Sequence, residues 1–178
     1  MAHIDLDPGQ PGILALFQFR PETAAALTGL GNALLRGPGP LPLGDRELIA
    51  AFVSRRNACA FCEQSHAATA AAQRPGGMAG VSAALDDPAG PAAGPKLAAL
   101  LDIAAAVQLS GAAVTDELVM AARDAGATDT EIHDTVLIAA AFCMFNRYVD
   151  GLAAPAPDDP GAYAGMGAHI AAHGYGPM

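Results

Sequence analysis

An all-α fold is predicted by three features of the sequence. Apolar residues recur at helical spacing through several segments, alanine dominates, and β-branched or aromatic clusters in strict alternation are missing. Residues 1–21 read as an extended arm. Pro21 fits a first helical position and opens a helix over residues 22–36, which Gly37-Pro38-Gly39-Pro40 ends. The next helix covers residues 44–56, and Asn57 stands where it can N-cap another that continues to residue 73. Residues 74–95 hold most of a Gly/Pro-rich loop, and mobility is expected of its DDPAGPAAGP stretch. Helices are expected over residues 96–109 and 115–125, the second stopping at Gly126. Thr128-x-x-Glu131 is a capping box ahead of a long apolar helix to residue 152. From residue 153, Pro, Gly and His make a tail. The expectation is about six helices in a domain over residues 22–152, flanked by the arm 1–21 and the tail 153–178.

Composition narrows the function. A chain of 178 residues fits one domain with a sizeable core. With 52% hydrophobic and 15% charged residues it is too apolar for disorder and too interrupted for a membrane protein. Its longest strongly apolar run, residues 136–145, is half of the roughly 20 residues that span a bilayer. The first residues carry acids and prolines where a secretory signal needs a basic start, so a cytoplasmic location is expected. A net charge of -9 argues against nucleic acid and anionic lipid as partners. Trp is absent and alanine abundant, so small side chains must build much of the core. So apolar a composition on so short a chain also points to buried subunit contacts, hence a homo-oligomer.

Three cysteines cannot all pair within one chain, and two of them form a C-x-x-C, which in a cytosolic protein indicates redox or metal chemistry. The segment ELIAAFVSRRNACAFCEQSH contains Glu47, eleven residues, Cys59, two residues, Cys62, three residues and His66. On a helix begun by Asn57, Cys59 and Cys62 are i and i+3 neighbours, with Cβ atoms roughly 5–6 Å apart. His66 is four residues beyond Cys62 and seven beyond Cys59, which brings two thiols and a base onto one face. Cys59 is expected in the first turn, where free N–H groups and the helix dipole favour a thiolate. On a straight helix Glu47 would lie about 18 Å away along the axis. A bend at Asn57 can fold it back beside the sulfurs and His66, where a carboxylate favours the proton on imidazole and orients the ring. Zinc binding by Cys59, Cys62 and His66 with Glu47 as fourth ligand is an alternative. Two small core residues and a structural histidine are another.

The pattern Glu-x11-Cys-x2-Cys-x3-His resembles the active-site signature of the AhpD-like alkylhydroperoxidases within the carboxymuconolactone decarboxylase superfamily. The surrounding RELIAAFVSRRNACAFC and the later TDTEIHDTVLIAAAFCMFNRYVDGL are similar to its peroxidase-related members, so the resemblance covers residues 41–152. It implies a compact all-helical AhpD-like fold, a trimer or hexamer, and a thiol peroxidase cycle. Glu47, Cys59, Cys62 and His66 would be the catalytic residues, a hydroperoxide the substrate, and a thioredoxin-like or lipoyl dithiol protein the electron donor. No cofactor and no metal are implied. Where AhpD proteins proper can carry a histidine before the second cysteine, this chain has Phe61, which implies a drier pocket. Lactone decarboxylases of the superfamily typically lack the C-x-x-C, so that activity is not the one expected. A redox-sensing or adaptor oligomer that uses the same disulfide without turnover is the alternative of a different class.

Cys59 has the helix dipole in its favour, but Cys62 is one turn from His66, and a local base can outweigh the roughly 0.3–1 kcal/mol of an exposed helix terminus. Cys62 is therefore expected to attack peroxide and Cys59 to resolve. Outside this segment, Cys143 reads as a small buried residue, Arg147 and Asp150 as a surface pair, and His133 as solvent-facing. His3, His169 and His173 fall in the arm and tail.

Overall fold

A computed structural model describes residues 1–176. Among them there is no strand, and nine α-helices follow one another: α1 (Ile13–Phe19), α2 (Pro21–Leu35), α3 (Leu43–Arg56), α4 (Ala60–Ala71), α5 (Gly77–Asp86), α6 (Pro95–Leu109), α7 (Asp116–Asp124), α8 (Asp129–Gly151) and α9 (Pro160–His173). A single 3-10 turn, Gly111–Ala113, joins α6 to α7. None of these helices is long and apolar enough to cross a membrane.

α3 is the axle of the fold. Every residue from Arg46 to Ser54 is buried, because α2, α4, α5, α6 and α8 pack around it. A helix buried on all sides must satisfy its polar side chains internally. Arg46 does so by donating to the carbonyls of Leu41 (2.9 Å) and Gly37 (2.7 Å), which closes the end of α2. Ser54 donates to the Ala50 carbonyl at 2.8 Å and accepts from Asn146 of α8 at 3.0 Å. Among the described residues no buried side-chain polar atom lacks a partner.

Three expectations need correction. The arm contains α1, and its backbone is tied to the chain beyond α8 by His3 N–H to the Leu152 carbonyl and Gly12 N–H to the Pro155 carbonyl. The segment 74–95 contains α5, which buries Val81, Ala84 and Leu85 in the core. The tail contains α9, which lies against α4 with Gly167 on the backbone of Ala68 and Thr69. A Cβ at position 167 would stand 2.6 Å from the Ala68 carbonyl carbon, so the absent side chain is what allows the two helices to meet. In all three cases packing overrides a local sequence rich in Gly and Pro. The helix count therefore exceeds the six expected.

The capping box at the start of α8 is formed as expected. Glu131 accepts from the Thr128 N–H at 2.7 Å, and Thr128 Oγ1 accepts from the Glu131 N–H at 3.2 Å. Lys96 of α6 adds a 2.6 Å ion pair to the same carboxylate. Burial pushes the Glu131 carboxyl up, but the Lys96 ammonium and the Thr128 donors together hold it below the usual range. A carboxyl depressed by folding stabilises the native state above its unfolded pKa, and that contribution is lost as pH falls through its folded pKa. Glu131→Gln is therefore expected to lower stability to urea at pH 7 by about 1 kcal/mol, with the gap to wild type closing as the pH drops below the carboxylate range. A gap that is independent of pH would show that the charge on Glu131 plays no part.

Candidate active site

The site is made by the turn between α3 and α4. Asn57 ends α3, Ala58 takes a left-handed φ of 59°, and Cys59, extended at φ -86° and ψ 92°, is the N-cap of α4. An alanine held there costs about 1–2 kcal/mol, a strain maintained by the Cys59 N–H to Ser54 carbonyl bond of 3.0 Å. The expected bend is present, but Asn57 does not N-cap α4. Its amide is committed elsewhere: Nδ2 donates to Asn146 Oδ1 at 2.8 Å, and Oδ1 accepts from Gln108 at 2.9 Å. The shift also moves Cys59 out of the first turn. Cys62 occupies the third helical position instead, so helix dipole and His66 both act on the same sulfur.

The bend folds α4 back along α3 and brings Glu47 to His66. Glu47 is fully buried, and its Oε2 lies 2.7 Å from His66 Nδ1. A third group, Tyr175, donates its hydroxyl to both Glu47 oxygens at 2.8 Å and stands 3.2 Å from Nδ1. An ionised carboxylate only accepts hydrogen bonds, and the phenol proton is already given to it, so Nδ1 carries a proton and Nε2 is left as the basic atom. The edge of Phe142 meets the His66 ring at a centroid distance of 4.5 Å.

Cys59, Cys62 and Cys143 are free thiols. Interaction with Cys62 first of all, with burial adding to it, pushes the Cys59 thiol far above the ordinary thiol range. The same interaction holds Cys62 below that range. Burial opposes this, while the charge of His66 and the nearby Asn146 amide assist. Cys62 and His66 line an apolar cavity of about 80 Å³ walled by Ile13 and Phe17 of α1, Leu27 and Leu35 of α2, Phe61, Phe142, Phe145 and Tyr175. Cys59 does not line it. Phe61 thus fulfils the expectation of a dry pocket.

The carboxymuconolactone decarboxylase family model matches residues 21–106, from α2 into α6, which includes Glu47 and the whole C-x-x-C to His66 segment. Two crystal structures share the fold. One is described as an alkylhydroperoxidase AhpD core, an uncharacterized peroxidase-related protein from Ralstonia eutropha JMP134, with TM-score 0.78 and 25% identity over 89% of this chain and 81% of that one. Over residues 21–106 the chain is similar to the carboxymuconolactone decarboxylase family. The other structure, an uncharacterized peroxidase-related protein from Silicibacter sp. TM1040, has TM-score 0.78 and 24% identity over 93% of this chain and 95% of its own. No curated protein matches.

The superfamily match ends before α8 and Tyr175, and these supply what sequence reasoning missed. Asn146 and Tyr175 lie far from the C-x-x-C in sequence, and no local spacing marks them. Among the described residues no three His, Cys, Asp or Glu side chains are grouped to hold a metal ion, and the Glu47 carboxylate is paired with His66 and Tyr175. Cys143 is half-buried, 3.7 Å from Asn57 Nδ2. Arg147 folds back onto the Cys143 carbonyl at 2.8 Å, so the expected pairing with Asp150 is replaced by a contact within α8. His133 is exposed, as are His169 and His173, whose rings lie 4.5 Å apart on α9.

Because a lowered thiol pKa raises the thiolate fraction at a given pH, Cys62 is expected to be alkylated ahead of Cys59, its rate rising at a pH below that of an ordinary thiol. Iodoacetamide labelling across pH, mapped by peptide mass, measures this. Equal labelling of the two, rising at an ordinary thiol pH, would contradict the division between them.

Proposed function

We propose that this protein is a thiol-dependent alkyl hydroperoxide reductase in which Cys62 attacks peroxide and Cys59 resolves the product. One observation carries the reading: of the two sulfurs, Cys62 is the one that lines the apolar cavity together with His66. His66 Nε2 takes the Cys62 proton, with Glu47 holding the opposite side of the ring. The thiolate attacks the terminal peroxide oxygen. An S–O bond forms and the O–O bond breaks, sulfur is oxidised to a sulfenic acid, and the departing alkoxide takes the proton from His66 and leaves as an alcohol. Cys59 then attacks the Cys62 sulfur, an S–S bond replaces the S–O bond, and the hydroxyl leaves with the Cys59 proton as water. A dithiol protein of thioredoxin-like or lipoyl type returns two electrons and two protons by exchange.

The peroxidase-related relatives support this at the level of the family. The reading includes a cytoplasmic location, where such donors are available, and a net charge of -9 that favours neither nucleic acid nor anionic membrane. It also includes a homo-oligomer, trimer or hexamer, supported by the half-exposed Phe19 and Met144, which flank an apolar groove with Ile4, Leu27 and Tyr148. Sedimentation at micromolar concentration should show that assembly, and a stable monomer would remove it.

The catalytic reading is tested with two variants and a sulfenic-acid trap. Cys59→Ser, treated with an alkyl hydroperoxide, should accumulate trapped sulfenic acid at position 62, whereas Cys62→Ser should be inert. Labelling at position 59 in Cys62→Ser would exchange the two roles, and labelling in neither would end the peroxidase proposal.

A further inference from the structure

Tyr175 reaches the centre of the site from a segment that belongs to neither half of the relay. It follows α9 through Gly174, whose φ of 78° ends the helix, and is fixed by Asn32 of α2. The Asn32 amide donates to the Tyr175 carbonyl and accepts from the Tyr175 N–H at 2.9 Å. Arg36, one turn further along α2, donates to the Ala171 carbonyl at 2.8 Å. This clamp holds the backbone, so the hydroxyl is delivered to Glu47 by a fixed segment.

We propose that Tyr175 is a positioning residue of the relay, whose hydroxyl bond to Glu47 weakens the carboxylate's pull on the His66 Nδ1 proton and so eases release of the Nε2 proton from the imidazolium to the departing alkoxide. The physical basis is simple. A fully buried carboxylate with one donor concentrates its charge on that donor, whereas a second donor disperses the charge and stabilises the anion. The pair of Glu47 and His66 then gives up a proton more readily than it would alone. Tyr175 acts only as a donor, because burial and the Glu47 charge push its phenol well above the ordinary range, with Arg36 opposing. The titratable groups around the pair are few. Arg36 comes from α2, Glu47 from α3, and His66 with Cys59 and Cys62 from α4. α8 presents Phe142 to His66 and Asp150 to the cysteines, α9 presents His169 to a cavity shared with His66 and Tyr175, and α1 presents only apolar side chains.

The inference rests on the peroxidase reading, and the test separates the two. Tyr175→Phe keeps the ring and removes the hydroxyl. Alkylation of Cys62, which needs thiolate alone, should stay within about threefold of wild type, whereas single-turnover reduction of tert-butyl hydroperoxide should slow by about tenfold at neutral pH, its alkaline limb moving to higher pH. In the same variant, NMR of the His66 ring nitrogens should show the ring holding its second proton to higher pH than in wild type. A Tyr175→Phe protein with unchanged peroxide rate, pH profile and NMR titration would overturn the proposal. So would a parallel loss of alkylation, peroxide reduction and thermal stability, since that marks a packing role. Should wild type consume no peroxide, the peroxidase reading fails by itself, and the NMR comparison still decides whether Tyr175 governs the His66 proton.

Discussion

The contact between the fully buried Glu47 and His66, 2.7 Å long, is the interaction on which the rest of the arrangement depends. A carboxylate in the middle of a helix buried on all sides is costly unless it is both paired and hydrogen-bonded. Glu47 meets that requirement only because α4 turns back on α3 within three residues, Phe142 sets the imidazole ring, and Tyr175 is held from the far end of the chain. Each of these costs something: a left-handed alanine, a buried ring nitrogen, and the ordering of a terminal segment. The burial of a single acid therefore accounts for the strained turn, the aromatic edge and the C-terminal clamp together.

The consequence for chemistry is that the two sulfurs become unequal. One sits in the first turn of α4, beside the base and against an apolar cavity. The other caps the helix, outside that cavity, and its thiol is pushed well above the ordinary range by its neighbour and by burial. A dry wall of Phe17, Leu27, Phe61 and Phe145 keeps water from competing for the charge that develops beside His66. α1 and the segment after α9 complete that wall, so the parts outside the long central helices are structural members of the site.

Much of this was legible in the sequence, for reasons that differ by residue. Glu47, Cys59, Cys62 and His66 lie in one stretch of twenty residues, where helical spacing and a single bend are enough to assemble them. α6, α7 and α8 were legible from apolar periodicity, the Gly126 stop after α7 and the Thr128–Glu131 box, although Pro95, read as loop, is the first residue of α6 and Thr115 is the N-cap of α7. The two-residue shift of the α4 cap from Asn57 to Cys59 arose because Asn57, a good cap in isolation, is claimed by Asn146 and Gln108 from other helices. α1, α5 and α9 have weak local signals: α9 carries three glycines after its opening proline, and one of them, Gly167, permits the backbone contact with α4 that packs the helix in place. Tyr175 could not be read at all, since it is 109 residues from His66 and nothing near it in sequence announces a partner.

The central claim is that a buried carboxylate and imidazole make a pair of cysteines into a peroxide-driven dithiol, with the third cysteine a bystander. Counting free thiols during a titration with one equivalent of tert-butyl hydroperoxide tests it most directly. Of the three free thiols per chain, one should remain, mapped to Cys143, and all three should return on addition of a small dithiol. Three thiols surviving the peroxide, or a loss that includes Cys143 while Cys59 or Cys62 stays reduced, would contradict it.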